Sequence, residues 1–169
     1  NEMEMLTFFL TDGQLYGLNV FKIIEILETP KEITVMPESG AGVIGTIDFR
    51  GHAITVIDLS VALDLPPVDL TQGVSYILVC EYSISTQGFL IARPDRLINK
   101  SWTEIIAPKG TIFEGSYLTA ITYHQNVPIQ ILDVEMILAN IIGIDDHVSD
   151  DLVAKSKKIV QKQHHILAA

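Results

Sequence analysis

By residue type, Asp58, Asp133 and His124 are the side chains best suited to acid–base chemistry. Two carboxylates in one cleft can share the roles of general acid and general base, with an imidazole carrying the proton. That chemistry requires the three groups to converge. Each aspartate, however, ends an apolar run and opens a short amphipathic one, in Val56-Ile57-Asp58-Leu59 and Ile131-Leu132-Asp133-Val134. An aspartate so placed accepts the first free N–H groups of a helix, so capping is the simpler reading. Gly40-Ala41-Gly42-Val43-Ile44-Gly45 spells G-x-G-x-x-G, but a dinucleotide site needs a strand before the glycines and a helix within them. Met36-Pro37-Glu38-Ser39 precedes it and β-branched Thr46-Ile47-Asp48-Phe49 follows, so a glycine loop feeding a strand is expected. His52, His124, His147, His164 and His165 are scattered, with no H-E-x-x-H and one cysteine, so no metal site is expected. Cys80 reads as a small buried hydrophobe. No catalytic residue and no cofactor emerges.

Arg50 stands apart. Arg50-Gly51-His52 separates two apolar runs and reads as a hairpin tip. The arginine is either a solvated turn residue or a guanidinium fork offered to partner carbonyls and carboxylates. Residue type alone leaves the two readings open.

The elements that must carry these residues are strands. Short β-branched and aromatic runs recur between turn signals, at Met5–Thr11, Gln14–Val20, Val43–Phe49, Ala53–Leu59, Val74–Cys80, Gly88–Ala92, Tyr117–Tyr123 and Val127–Leu132. Asp12-Gly13 marks a hairpin between the first two. With no long helix before the C-terminal end, the pattern argues for barrels or a sandwich. Ala53–Leu63 is echoed by Pro128–Leu138, and Tyr16-Gly17-Leu18 more weakly by Phe89-Leu90-Ile91, at an offset of about 73–75 residues. Two similar half-domains are therefore expected, near 1–65 and 70–142.

The chain has 169 residues, 48% hydrophobic and 19% charged, with a net charge of −10. Residues 1–151 hold seven lysines and arginines against all 21 acids, a balance of −14, whereas 152–169 carry Lys155, Lys157, Lys158 and Lys162 and no acid. That shift marks a boundary near Ser149, with a linker helix expected over 149–163. An acidic body is unsuited to neutralising phosphates, so nucleic acid is not an expected partner. No window holds the roughly 20 apolar residues of a membrane helix, so no direct membrane insertion is expected. Asn1-Glu2-Met3-Glu4 resembles neither a signal peptide nor a natural start, so an excised cytoplasmic domain is expected.

Tyr16–Ile26, Met36-Pro37, Gly45-Thr46-Ile47-Asp48-Phe49-Arg50-Gly51 and Val56-Ile57-Asp58-Leu59 together resemble the CheW family of chemotaxis coupling domains over about residues 5–142. Ser101-Trp102-Thr103-Glu104-Ile105 and Leu132–Leu138 resemble its CheV branch, in which such a domain is fused to a receiver domain. His165–Ala169 is similar to a first receiver strand, so 164–169 is expected to begin that domain. The resemblance implies a mainly β fold of two five-stranded β-barrels sharing a core, with short helices and a coupling domain spanning 1–148. It implies an adaptor without catalysis, recruited to membrane-associated receptor arrays, that binds chemoreceptor cytoplasmic tips and the regulatory domain of the histidine kinase CheA. Carried over by position, Gly45, Arg50 and Gly51 fall in a partner-binding motif, and Lys22 and Glu25 in a receptor-facing groove. Asp48-Phe49 departs from the family's Asn-Leu, and Ala92-Arg93-Pro94-Asp95 from a Val-Asp pattern. Two other classes set the contrast: an enzyme using Asp58, Asp133 or His124 between the half-domains, and a barrel binding single-stranded nucleic acid.

Overall fold

Residues 1–35, 42–82, 85–107 and 118–142 are described by the computed structural model. The expected linker helix 149–163, the strand-like tail 164–169, Met36-Pro37 and Gly40-Ala41 lie outside the described residues. Eleven strands and two helices follow in order: β1 (Glu2–Phe9), β2 (Leu15–Asn19), β3 (Ile23–Glu28), β4 (Thr34–Val35), β5 (Val43–Phe49), β6 (His52–Asp58), α1 (Leu59–Ala62), β7 (Tyr76–Glu81), β8 (Thr86–Ile91), β9 (Arg93–Ser101), β10 (Leu118–His124), β11 (Val127–Leu132) and α2 (Val134–Ile142). One sheet runs β10-β11-β2-β1-β9 and the other β3-β7-β8-β6-β5-β4. The fold is thus mainly β and built on two five-stranded sheets, the second lengthened by the two-residue β4.

Read from the β5 end, the second sheet repeats the plan of the first: a hairpin, a parallel step onto a second hairpin, and an edge strand. The parallel steps match, with Ile131 opposite Gly17 and Val56 opposite Gly88. The bulges match as well, at Ile23/Glu25 in β3 and Thr7/Phe8 against β9, and at Val43/Gly45 in β5 and Leu118/Ala120 in β10. Even the tips agree, since Arg50-Gly51 and Gln125-Asn126 all take positive φ, the paired requirement of a type I′ hairpin. The two sheets thus share one plan, with a register that differs in one respect from the sequence echo. Gly17 faces Thr7 and Gly88 faces Val79, so Leu18, not Tyr16, corresponds to Phe89.

The sequence halves are not the barrels. Each sheet takes strands from both 1–65 and 70–142. After β2, Asn19 accepts the Phe21 N–H and caps a 3-10 turn, Val20–Lys22, that carries the chain into the other sheet. After β8, Ala92 alone separates the strand from β9, and its N–H donates to Phe9 O at 3.1 Å, delivering β9 to the first sheet. Strand exchange lets one apolar layer serve both sheets: Leu6, Phe8 and Leu18 pack with Leu78, Phe89 and Ile91. Each sheet also encloses its own core, Ile47, Val56, Ile77 and Leu90 in one and Met5, Ile98, Ile129 and Ile131 in the other. In the first sheet Ile106 and Ile121 exchange backbone hydrogen bonds of 2.8 Å, returning the chain beyond β9 to β10.

Candidate partner-binding site

Glu25 lies on β3 beyond the bulge, in the half-buried row with Ile23 and Leu27, while Ile24, Ile26 and Glu28 are exposed. The β5–β6 tip reaches toward it, and Arg50 Nη2 donates to Glu25 Oε2 at 3.3 Å. The same guanidinium lies 4.8 Å from the centre of the Phe49 ring, a cation–π contact. Arg50 sits at φ 51 and Gly51 at φ 83. Glycine takes that conformation freely; arginine does so at a cost of about 1–2 kcal/mol. Despite two contacts, the Arg50 side chain remains 67% exposed.

Lys22 does not join this group. Its Nζ donates to Glu135 Oε1 of α2 at 2.8 Å and lies 5.9 Å from the centre of the Tyr82 ring. It borders a groove of about 440 Å³ lined also by Met3, Trp102, Ile105, Asp133 and Glu135. Tyr82 brings a buried hydroxyl with no hydrogen-bond partner among the described residues. Burial foremost, with Cys80, Glu135 and Asp133 adding repulsion, raises its ionisation far above the ordinary phenol range.

Gly45 has a packing role. Its φ of 156 and the press of β4 leave no room for a side chain, since a Cβ there would fall on the Thr34 carbonyl oxygen. Gly45→Ala is expected to cost about 2–4 kcal/mol by displacing β4 and Ile33, read as a lower urea midpoint. An unchanged midpoint would show that β4 yields freely.

The acid–base candidates are dispersed. Asp58 is buried and caps α1, its Oδ1 accepting from Ser60 N at 2.9 Å and Val61 N at 3.4 Å, while Oδ2 accepts from Val68 N at 2.9 Å. Burial raises its ionisation above the usual carboxylate range, and the three N–H donors oppose that rise. Asp133 caps α2 in the same manner, accepting from Glu135 N at 3.0 Å and Met136 N at 3.2 Å. His124 lines a separate cavity. Among the described residues, no three His, Cys, Asp or Glu side chains group as metal ligands, and no helix is long and apolar enough to cross a membrane. Strand β5 continues through Gly45 with no helix there, as the glycine-loop reading requires.

Cys80 is fully buried and burial pushes its thiol up to about 12. Native protein at pH 8 is expected to leave a disulfide-exchange reagent such as Ellman's essentially unreacted until urea unfolds it, because thiolate is the attacking species. Stoichiometric reaction within seconds in native buffer would contradict that burial.

Several features escaped sequence reasoning. Phe49 as the guanidinium's platform and Glu135 as the Lys22 partner were not singled out: the first depends on how the Arg50 side chain folds back over its neighbour, the second on a contact 113 residues away in the chain. The exposed Ile24 and Ile26 lie on β3, an element hidden by its Glu residues, and exposed Phe21 lies in the 3-10 turn before it.

Two strand-exchanged barrels with a charged hairpin tip and an exposed apolar row define a two-barrel β fold. The family is specific: the CheW-like domain profile matches residues 4–141, and the chain belongs to that family. It is 33% identical over its whole length to the "Chemotaxis protein CheV2" of Helicobacter pylori and 29% identical over 93% of its length to the same organism's "Chemotaxis protein CheV1". The chain spans only 58% and 54% of those two relatives. It is 26% identical over 80% of its length to the "Chemotaxis protein CheW" of Bacillus subtilis, covering 86% of that protein. The scaffolding protein TtCheW of Thermoanaerobacter tengcongensis shares the fold, with a TM-score of 0.71 at 23% identity over 82% of this chain and 93% of that one.

Proposed function

We propose that this chain is a chemotaxis adaptor that couples receptors to a kinase by binding, without chemistry of its own. Its partners in this reading are the cytoplasmic tips of chemoreceptors and the regulatory domain of the histidine kinase CheA, and it works in the cytoplasm at receptor arrays. Membership of the CheW-like family and the chemotaxis names of its relatives support this reading. The observation that carries it is Arg50. A strained, largely exposed arginine, stacked on Phe49 and steadied by Glu25, costs the fold and returns little stability to it. Such a residue is kept for what it meets. Gly51 permits the turn, Glu25 aims the fork, and exposed Ile24 and Ile26 flank it with apolar area, the composition of an interface anchor and its surround. Lys22, beside the groove at α2, belongs to a second contact region in this reading.

Titration calorimetry of the chain against a purified receptor cytoplasmic fragment and, separately, the kinase regulatory domain tests the proposal. Saturable binding to both is expected, at micromolar strength for modest, reversible interfaces. Absence of heat with either fragment at protein concentrations near 100 μM would reject it; roughly 1 mM affinity corresponds to only about −4 kcal/mol.

A further inference from the structure

The groove of about 440 Å³ beside the start of α2 has an apolar lining that includes Met3, Leu18, Ile105, Ala120 and Ile131. Two large hydrophobics stand open at it. Trp102 lines the groove from its 3-10 turn, Trp102–Glu104, yet is 56% exposed, and Met136, next to Glu135 on α2, is 45% exposed. The charged lining is Asp133 and Glu135 against Lys22, and Lys22 is already paired with Glu135. Exposed Glu104 ends the turn that presents Trp102, so the rim is acidic on balance. An apolar groove with an acidic rim suits an amphipathic segment that carries cations beside its apolar face.

The same chain holds such a segment, outside the described residues. At helical spacing Leu152, Val153, Ser156, Ile159 and Val160 fall at i, i+1, i+4, i+7 and i+8 and share one face. Lys155 and Lys162 flank that face on one side and Lys157 on the other. Residues 152–169 carry four lysines and no acid, against a balance of −14 in residues 1–151. Reach allows a return to the groove. Helix α2 starts there at Val134 and ends at Ile142, about 12 Å away at 1.5 Å per residue. Residues 143–151 then span up to about 30 Å before Leu152.

We infer that residues 152–163 dock in this groove of their own chain as an amphipathic helix, with the apolar face on Trp102 and Met136 and the lysines at the rim carboxylates. Tethering makes weak contacts effective, because a short linker holds the segment at about millimolar local concentration. Burial of the apolar face and attraction between opposite charges act in the same direction. The inference stands independently of the adaptor reading. Within that reading, the docked segment covers the Lys22 contact region and competes with the partner that uses it.

Trp102 is the single tryptophan of the chain, so its fluorescence reports the groove directly. Acrylamide quenching is measured on the full chain and on two full-length variants, Ile159→Asp with Val160→Asp, and Lys155→Glu with Lys158→Glu and Lys162→Glu. Both variants are expected to raise the quenching constant about twofold or more, toward the 56% exposure of the open groove. Salt at 1 M, where charges are screened beyond about 3 Å, is expected to raise the wild-type constant and leave that of the triple variant unchanged. Equal quenching of wild type and both variants overturns the inference. Shielding that grows with protein concentration assigns the groove to the segment of a second copy and overturns docking within one chain.

Discussion

Replacing Asp58 by alanine is expected to destabilise the domain by about 3–5 kcal/mol, whereas the same change at Asp133 costs about 1 kcal/mol. The two residues are equivalents in the duplication and do the same job at the start of α1 and α2, so the difference isolates burial. Asp58 is 1% exposed and serves three N–H groups, including that of Val68, which returns over the helix after Leu65 N has bonded Ser60 O at 2.8 Å. Alanine leaves those donors without an acceptor and away from water, and each such group costs about 1–3 kcal/mol. Asp133 caps at a groove that water enters, so solvent takes over its bonds. Asp58→Asn keeps one acceptor oxygen and should fall between. Urea midpoints of the three variants check the ranking; equal losses at both aspartates would mean that the covering segment contributes nothing.

Changing Arg50 should move stability and binding in opposite directions. Arg50→Asn puts a residue that tolerates left-handed backbone at the tip, and is expected to gain about 0.5–1 kcal/mol of folding stability. The same variant should weaken partner binding about tenfold or more, as loss of a central arginine anchor does. Arg50→Glu places like charges at the Glu25 position and should weaken binding further. The swap Glu25→Arg with Arg50→Glu restores an ion pair but moves the cation off the tip, so stability returns and binding does not. A swap that recovered binding would show that the pair acts by holding the fold, not by presenting the guanidinium.

The strands that were legible in the sequence are those with β-branched and aromatic runs between turn signals. Val43–Phe49 and Val127–Leu132 are bounded in the structure as their β-branched runs indicated, and the rest of that set lies within a few residues of expectation. The strands that were not legible, β3, β9 and the two-residue β4, all lie at sheet edges. Ile23–Glu28 breaks its apolar run with Glu25 and Glu28, and Arg93–Ser101 carries proline, three cations and an aspartate, which is how edge strands avoid unwanted pairing. Those edges also carry Glu25 and Arg96, whose strand neighbours Val79 and Thr7 lie far away in the sequence. Duplication was visible through Asp58 and Asp133, but not the exchange of strands. Exchange is decided by the short links at Val20–Lys22 and Ala92, and no residue pattern there distinguishes a return to the same sheet from a crossing to the other. Arg50 was placed at a tip by Arg50-Gly51-His52, while its contact with Glu25 needed the placement of β3 beside the tip.

Coupling itself is tested most directly by sedimenting receptor-bearing membranes with purified kinase, with and without this chain. The account predicts that kinase joins the pellet in proportion to added wild-type chain and stays in the supernatant when Arg50→Glu replaces it. Kinase that pellets equally well without the chain, or equally with both versions, would contradict an adaptor that works through its hairpin tip.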